Sequence, residues 1–214
     1  MKKRKIKAII FDMDGVLVDA REWHYEALNR ALGLFGFTIS RYDHLVTYDG
    51  LPTRIKLKML SKERGLPVGL HSFINRVKQI YTAEVVFARC KPTFYHQYAL
   101  SALSGKGLRL AMASNSVRQT VDLMSNKCNI DRFFEFTLSN EDVNYPKPHS
   151  EIYDIAISRL GLSPDECMVV EDNQNGIKSA TDAGARVMVV KSVEEVNIQN
   201  IEKHLIRFES GDVA

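Results

Sequence analysis

Two aspartates, Asp12 and Asp14, directly follow an apolar run in residues 6–11, and Gly15 comes next. The run has the length of a buried strand, and open α/β sheets bind their ligands at the carboxyl ends of such strands. In an extended chain, residues two apart point to the same side, so the two carboxylates would repel each other unless a cation lay beside them. A divalent cation is the usual partner, and it indicates phosphate chemistry. The competing explanation is that both aspartates only cap a turn.

Three later segments also place polar side chains after an apolar run or before a helix. Ser114 and Asn115 precede a helix start, where a hydroxyl and backbone N–H groups can bind an anion; a plain helix N-cap would look the same. Lys147 stands between two prolines that stiffen the backbone, so its charge could face a phosphate or a carboxylate cluster; a solvated surface lysine is the alternative. Glu171 and Asp172 end another apolar run and offer the hard oxygen ligands that suit Mg²⁺, although a capping aspartate would give the same pattern.

Strands and helices alternate along most of the chain, and this alternation would position the polar segments. Strands that alternate with helices indicate a parallel sheet covered by helices on both faces. The pattern predicts strands over residues 6–11, 108–113, 136–138, 168–170 and 186–190. It predicts helices over residues 95–104, 117–126, 150–160 and 175–183, and a short helix over residues 201–205.

Residues 20–90 interrupt the alternation, because they show helical periodicity and no strand pattern. Apolar residues recur at helical spacing over residues 22–34, 53–65 and 70–85. We interpret this segment as a helical insertion placed just after the first strand.

The composition is that of an ordinary globular chain of 214 residues, with 45% hydrophobic and 26% charged residues. The net charge of +3 is too small to indicate nucleic-acid binding, and the basic run in residues 2–5 predicts a solvated lead-in to the first strand. Cys90, Cys128 and Cys167 are odd in number and widely spaced, which disfavours a disulfide framework or zinc site and favours reduced thiols in the cytoplasm. We find no apolar stretch of membrane-spanning length and no signal-peptide apolar region.

The four polar segments occur in a characteristic order, each at a predicted strand end or helix start. They read Asp12-x-Asp14-Gly15-x-x-x-Asp19, Ser114-Asn115, Lys147-Pro148 and Glu171-Asp172. This set resembles the motifs of the haloacid dehalogenase superfamily, and the helical insertion is similar to the cap of its β-phosphoglucomutase-like branch. The resemblance covers nearly the whole chain. It implies an α/β fold: a Rossmann-like parallel sheet core over residues 1–17 and 91–214, with an inserted α-helical cap domain over residues 18–90.

The resemblance also implies a role for each motif residue. Asp12 would attack phosphorus and form an aspartyl-phosphate, and Asp14 would protonate the leaving oxygen and then activate the water that releases phosphate. Ser114 and the Asn115 amide would hold phosphate oxygens. Lys147 would neutralise charge between Asp12 and the phosphoryl group, because an anionic nucleophile approaching an anionic phosphate needs positive charge nearby.

Mg²⁺ is the cofactor that the resemblance implies. The Asp12 carboxylate, the Asp14 backbone carbonyl and Asp172 would hold it, with Glu171 as a further ligand or as the group that orients one.

Within the predicted cap, His24 is similar in placement to a family position that faces the active site, although a packed or surface helix residue would fit as well. Arg54 lies in a segment that resembles the substrate-contacting cap loop, but Pro52 departs from the mutase-like pattern. Asp19 resembles a structural acid near the hinge more than a catalytic group. The remaining histidines considered show no ligand spacing, and we assign no catalytic role to His44, His71, His96 or His149.

The leading hypothesis is a Mg²⁺-dependent phosphatase that hydrolyses a small phosphorylated metabolite, such as a sugar or sugar-acid phosphate, through an aspartyl-phosphate. The first alternative is a phosphomutase of the β-phosphoglucomutase type, which needs a second phosphate contact in the cap, with Arg54 as the candidate. A dehalogenase would give Asp14 no task, and a non-catalytic binding module would need no nucleophile. We expect no nucleic-acid or membrane partner, and a monomer or weak dimer; the fold alone does not determine the substrate.

Overall fold

The apolar run before Asp12 forms the central strand of a parallel sheet in the computed structural model, which describes residues 5–210. Strand β1 (Ala8–Phe11) is completely buried and pairs with β2 (Arg109–Ala113). Strand β3 (Phe136–Leu138) extends the sheet beyond β2, and β4 (Cys167–Glu171) and β5 (Arg186–Val189) extend it on the other side of β1. The order β3-β2-β1-β4-β5 reverses direction at β1, and ligands bind at such switch points in open α/β sheets.

Over residues 21–89, which follow β1, the chain contains helices and no strand. The helices are α1 (Arg21–Gly33), α2 (Arg41–Asp43), α3 (Thr53–Arg64) and α4 (His71–Arg89). We call residues 21–89 the helical insertion. Many of its apolar residues, among them Leu32, Leu57, Leu60 and Ile74, form a cluster separate from those of the sheet, whereas Val86 packs with the sheet. The insertion therefore has its own small core, and its treatment as a cap domain with boundaries at residues 18 and 90 stays a prediction.

Helices cover both faces of the sheet because alternate residues of each strand point to opposite faces. Ile9 and Phe11 belong to one apolar cluster, and Ala8 and Ile10 belong to the other. The first cluster includes residues of α5 (Phe94–Gly105), α6 (Arg118–Lys127) and α9 (Ile198–Ser210). The second includes residues of α7 (Glu151–Arg159) and α8 (Gln174–Asp182). The predicted α/β fold with a Rossmann-like parallel sheet is confirmed.

Two elements differ from the prediction. The short helix predicted over residues 201–205 extends over Ile198–Ser210, because Ile198, Ile201, Leu205 and Phe208 all pack on the sheet at helical spacing. The segment from α2 through the π-helical turn His44–Tyr48 was not predicted as helix. It is too short for its apolar residues to establish a period.

Residues 2–4 of the predicted basic lead-in lie outside the described residues, and Lys5 is exposed. Cys90, Cys128 and Cys167 are buried free thiols, and the first two sulfur atoms lie 3.2 Å apart. Across residues 5–210, no helix is both long and apolar enough to cross a membrane.

Candidate active site

Lys147 lies among the acidic residues that end β1 and β4. Its Nζ donates to Asp12 Oδ1 at 2.6 Å, to Glu171 Oε1 at 2.7 Å and to the carbonyl oxygen of Ala113 at 2.8 Å. Only 3% of the side chain is exposed, so a solvated surface lysine is excluded. Burial would lower the pKa of Lys147, but the charges of Asp12 and Glu171 outweigh burial and raise it. The ammonium therefore stays charged and joins the ends of three neighbouring strands.

The carboxylates of Asp12, Glu171 and Asp172 form a group whose candidate ligand oxygens lie within 4.8 Å of one another. Burial raises the pKa of Asp12, and although Lys147 opposes this, Glu171 and Asp172 raise it further. Burial and then Glu171 raise the pKa of Asp172 to about 6. Asp172 Oδ1 is buried without a hydrogen-bond partner. A divalent cation would relieve this repulsion and give the unpartnered oxygen a contact, so this all-oxygen set fits Mg²⁺.

Two glycines leave the space that these carboxylates occupy. A Cβ at Gly15, whose φ is +91°, would lie 2.1 Å from Asp172 Oδ2. A Cβ at Gly176, in the first turn of α8, would lie 1.8 Å from Glu171 Oε1. The backbone thus approaches both acids more closely than any other residue type would allow.

Replacing Gly176 with alanine is expected to lower the free energy of unfolding by about 1–3 kcal/mol, because the added methyl overlaps a carboxylate that Lys147 and Tyr153 hold in place. The matched control is Gly105→Ala, a helical glycine whose added Cβ meets nothing within 4 Å. That control should stabilise the helix slightly, by up to about 1 kcal/mol. Urea unfolding of both variants measures the difference, and equal midpoints would contradict the close packing at Gly176.

Asp14 is held from the core and from the helical insertion. Ser116 Oγ donates to its Oδ2 at 2.7 Å, and Ser114 Oγ lies 3.3 Å from the same oxygen. His24 Nε2 lies 2.9 Å from Asp14 Oδ1, and its Nδ1 lies 3.2 Å from Lys78 Nζ. An ionised carboxylate can only accept, so we assign the His24 proton to Nε2, where it is donated to Asp14.

Burial and neighbouring charges together set the protonation states of His24 and Asp14. Burial lowers the pKa of His24 and the Lys78 charge lowers it further, so the ring is neutral at pH 7. Burial would raise the pKa of Asp14, but His24, Ser116 and Lys78 together outweigh burial and lower it. Asp14 is therefore ionised, and its contacts with Ser116 and His24 hold the carboxylate in place.

Ser114 and Asn115 follow β2, as predicted, but their side chains are already engaged. Ser114 is completely buried. The Asn115 side-chain amide donates to the carbonyl oxygens of Gly50 at 2.8 Å and Lys147 at 3.2 Å, and its Oδ1 accepts from the Lys147 backbone N–H. The Asn115 side chain thus positions the lysine segment and a loop of the insertion.

The loop between α2 and α3 lies directly on the core. Asp49 Oδ2 accepts from Asn173 Nδ2 at 3.1 Å and pairs with Arg21 Nε at 3.1 Å, while Arg21 also reaches Asp172 at 2.7 Å. A Cβ at Gly50, whose φ is +70°, would lie 2.5 Å from Asn173 Oδ1. The insertion is therefore seated against the carboxylate group by ion pairs and close backbone contact.

Lys56 and Lys78 are buried cations that the sequence patterns did not single out. Each is 7% exposed. Burial lowers the pKa of Lys56 to about 8 and that of Lys78 to about 7, with Lys56 lowering the latter further. A usable signal was present for Lys78, which lies four residues after Ile74 and four before Thr82 on the buried stripe of α4.

These elements surround a cavity of about 480 Å³ between the sheet end and the helical insertion. Every predicted site residue lines it: Asp12, Asp14, His24, Arg54, Ser114, Asn115, Lys147, Glu171 and Asp172. Arg54 is exposed, and Asp19 is exposed and does not line the cavity. His44 lines the cavity as well, whereas His71 and His96 bond to Ser61 and to the Val193 carbonyl elsewhere.

Comparison with known proteins identifies relatives whose sequences match most of this chain. The family model described as haloacid dehalogenase-like hydrolase matches residues 9–190. A phosphorylated carbohydrates phosphatase of Thermotoga maritima is 28% identical over 182 residues, which cover 84% of this chain and 82% of that protein. A phosphoglycolate phosphatase of Salmonella choleraesuis is 26% identical over 203 residues, covering 86% and 80%.

Solved structures share the same fold. A β-phosphoglucomutase from Clostridium difficile matches with a TM-score of 0.81 at 20% identity, covering 95% of this chain and 98% of that one. CbbY from Rhodobacter sphaeroides, solved in complex with phosphate, matches with a TM-score of 0.77 at 22% identity, covering 86% and 85%. Phosphatases and a phosphomutase therefore both occur among the proteins similar to this chain.

Proposed function

The chain belongs to the haloacid dehalogenase-like hydrolases. We propose that it is a member of their β-phosphoglucomutase-like branch and a Mg²⁺-dependent phosphatase of a small phosphorylated metabolite. One observation carries the proposal: the Asp12 carboxylate lies at the switch point of the sheet, bound to the buried Lys147 at 2.6 Å and lining the same cavity as Asp14. A binding module would need neither the nucleophile nor the neighbouring acid. The phosphatases among the sequence relatives support a phosphorylated sugar or sugar acid as substrate.

In the proposed first step, a carboxylate oxygen of Asp12 attacks phosphorus, and the bond from phosphorus to the leaving oxygen breaks. Asp14 gives a proton to that oxygen. Asp14 is ionised in the structure, and a phosphate dianion beside it would favour its protonated form because like charges repel. In the second step, Asp14 takes a proton from water, and the oxygen of that water displaces Asp12 to release inorganic phosphate.

Lys147 and the segment after β2 supply the positive charge that phosphoryl transfer requires. Lys147 neutralises the Asp12 carboxylate as the phosphate approaches. The Ser114 hydroxyl and the Asn115 backbone N–H would bind phosphoryl oxygens. Because these groups are fixed by hydrogen bonds before any substrate arrives, little reorganisation is required.

The Asp12 carboxylate, Asp172 and the Asp14 backbone carbonyl are the groups that would hold Mg²⁺. Glu171 Oε1 already accepts from Lys147 and Tyr153, and its Oε2 lies 3.2 Å from the Asp172 backbone nitrogen. We therefore assign Glu171 to orienting its neighbours. When bound, Mg²⁺ would withdraw charge from the phosphoryl oxygens.

Chelation of divalent metal by EDTA is expected to abolish phosphate release, and an excess of Mg²⁺ should restore it. Zn²⁺ should substitute poorly, because the described carboxylate group contains no histidine or cysteine. Thermal unfolding gives a second readout, since Mg²⁺ should raise the melting temperature by relieving carboxylate repulsion. Full activity after exhaustive chelation would exclude the metal.

The test of the proposed function is a panel of phosphorylated metabolites, assayed for inorganic phosphate with Mg²⁺ present. Release from at least one sugar or sugar-acid phosphate is the expected result. If no compound yields phosphate while the folded protein binds them, the chain is not a phosphatase.

A phosphomutase is the second candidate, because Lys56, Lys78 and Arg54 give the helical insertion cations that could hold a second phosphate. In a mutase, a sugar hydroxyl would take the place of the hydrolytic water. Product analysis with sugar monophosphates and a trace of bisphosphate separates the two reactions. Isomerised sugar phosphate accumulating faster than inorganic phosphate, and lost in Arg54→Ala, would overturn the phosphatase in favour of the mutase.

We further propose that residues 18–90 act as a cap whose closure excludes bulk water from the cavity.

The free thiols of Cys90, Cys128 and Cys167 support a location in the reducing cytoplasm. A monomer or weak dimer remains our expectation.

A further inference from the structure

We infer that the substrate carries a second anionic group, a carboxylate or a second phosphate, and that Lys56 binds it on the cavity wall formed by the helical insertion. The inference rests on the proposed function, in which the transferred phosphate lies beside Asp12. It identifies Lys56 as a specificity-determining residue and narrows the substrate to doubly anionic metabolites.

Lys56 is a buried ammonium without a protein partner. It lies in the first half of α3, is 7% exposed and lines the cavity. Among residues 5–210 it makes no hydrogen bond and no ion pair. A buried charge without a partner is unfavourable, so an anion entering the cavity would supply what the chain does not.

The acids nearest to Lys56 are already engaged by other groups. Asp49 is bound by Arg21 and Asn173. Asp14 is bound by Ser116 and His24. Both acids act on Lys56 only through space, which leaves its three donor hydrogens for a ligand.

A second unpartnered side chain lines the same cavity. His44 is 1% exposed, and neither of its ring nitrogens is hydrogen-bonded; its Nε2 lies 3.9 Å from Asp49 Oδ1. Burial lowers its pKa to about 4, so the ring is neutral and can donate one N–H. Lys78 adds a second buried amino group to this wall, and it contacts His24 Nδ1.

A substrate whose second end is a neutral sugar ring would not compensate the positive charge of this wall. Its hydroxyl groups could accept hydrogen bonds from Lys56, but they would not compensate a buried positive charge. A carboxylate or phosphate provides both acceptors and charge, and hydrogen bonds between charged groups are the stronger kind. The charge on the insertion wall therefore favours a metabolite with an anion at each end.

The test measures discrimination within two matched substrate pairs. These are 3-phosphoglycerate against glycerol 3-phosphate, and fructose 1,6-bisphosphate against fructose 6-phosphate. For each pair, kcat/KM for phosphate release is compared between the doubly anionic member and its partner. We expect the wild-type ratio to reach about 10- to 100-fold in one pair, the range that one charge-assisted hydrogen bond provides. The carboxylate pair and the bisphosphate pair distinguish the two sources of the anion.

Lys56→Met removes the charge and its hydrogen-bond donors, so it should lower that ratio to within about threefold of unity. Lys56→Arg keeps a positive charge and donors, so it should keep part of the ratio. Lys58→Met, an exposed lysine on the same helix, is the matched control and should keep the wild-type ratio. Wild-type ratios near unity in both pairs, or an undiminished ratio in Lys56→Met, would overturn the inference. If Lys56→Met does not fold, Lys56→Gln takes its place, and an undiminished ratio in Lys56→Gln would overturn the inference.

A binding experiment keeps this inference separate from the proposed function. Calorimetry with the Asp12→Asn protein measures 3-phosphoglycerate and glycerol 3-phosphate binding without turnover. Tighter binding of 3-phosphoglycerate, lost when Lys56→Met is added, supports the subsite even if no substrate is hydrolysed. Phosphate release without any such discrimination in either pair leaves the phosphatase in place and removes the subsite.

Discussion

Replacing Asp12 with asparagine is expected to reduce phosphate release by at least about 10³-fold, the scale seen when a catalytic nucleophile is removed. The amide is a poor nucleophile and a weaker metal ligand, and it would lose the charge that pairs with Lys147 at 2.6 Å. The measurement is the rate of phosphate release by purified protein with saturating Mg²⁺.

The fold of the Asp12→Asn protein should persist, because the substitution removes one charge from a group of mutually repelling carboxylates. Its melting temperature therefore separates a chemical defect from unfolding. The matched control is Asp131→Asn, an exposed aspartate outside the cavity, which should keep wild-type activity. Retention of more than a tenth of wild-type activity by a folded Asp12→Asn protein would rule out the aspartyl-phosphate route.

Replacing Lys147 with methionine should lower the free energy of unfolding by about 3–5 kcal/mol, the cost of breaking a buried ion pair by removing one partner. The variant leaves the Asp12 and Glu171 carboxylates buried without their shared ammonium. Phosphate release should fall at least about 10²-fold, because the nucleophile would then repel the incoming phosphate. Urea unfolding in EDTA and the phosphate assay measure the two effects.

Lys178→Met is the control for a lysine whose ion pair is exposed. Lys178 pairs with Asp182 at 2.6 Å, but 63% of its side chain is exposed, so its loss should change stability by less than about 1 kcal/mol. Adding Glu171→Gln to Lys147→Met should recover part of the lost stability, since it removes one of the two uncompensated charges. Equal unfolding midpoints for Lys147→Met and Lys178→Met would contradict the central role of Lys147.

The core of the site could be predicted because its residues follow strand ends. Asp12, Ser114 and Asp172 each come directly or almost directly after a parallel strand, and the carboxyl ends of parallel strands meet at one edge of the sheet. The apolar runs are visible in the chain as local patterns. Side chains far apart in sequence could therefore be assigned to one site before any contact was known.

The wall opposite the sheet could not be predicted in the same way. Lys56 and Lys78 lie on amphipathic helices, where a lysine is ordinarily solvated, and the direction of each side chain depends on how α3 and α4 dock on the core. The segment around His44 has no period long enough to identify it as helix. The Asn115 side chain holds the Gly50 and Lys147 carbonyls, a pair of contacts that no local pattern indicates.

By itself, the sequence determined the α/β fold, the order of its strands and helices along the chain, and the set of acids, hydroxyl and lysine that meet at the sheet edge. Strand and helix periods are local properties, and parallel connections bring strand ends together without further information. Only the tertiary structure decided that Lys147 is buried between Asp12 and Glu171, that His24 links Asp14 to Lys78, and that Lys56 has no partner. Those features depend on the docking of the helical insertion on the core, which joins residues distant in sequence through burial and charge that no local pattern records.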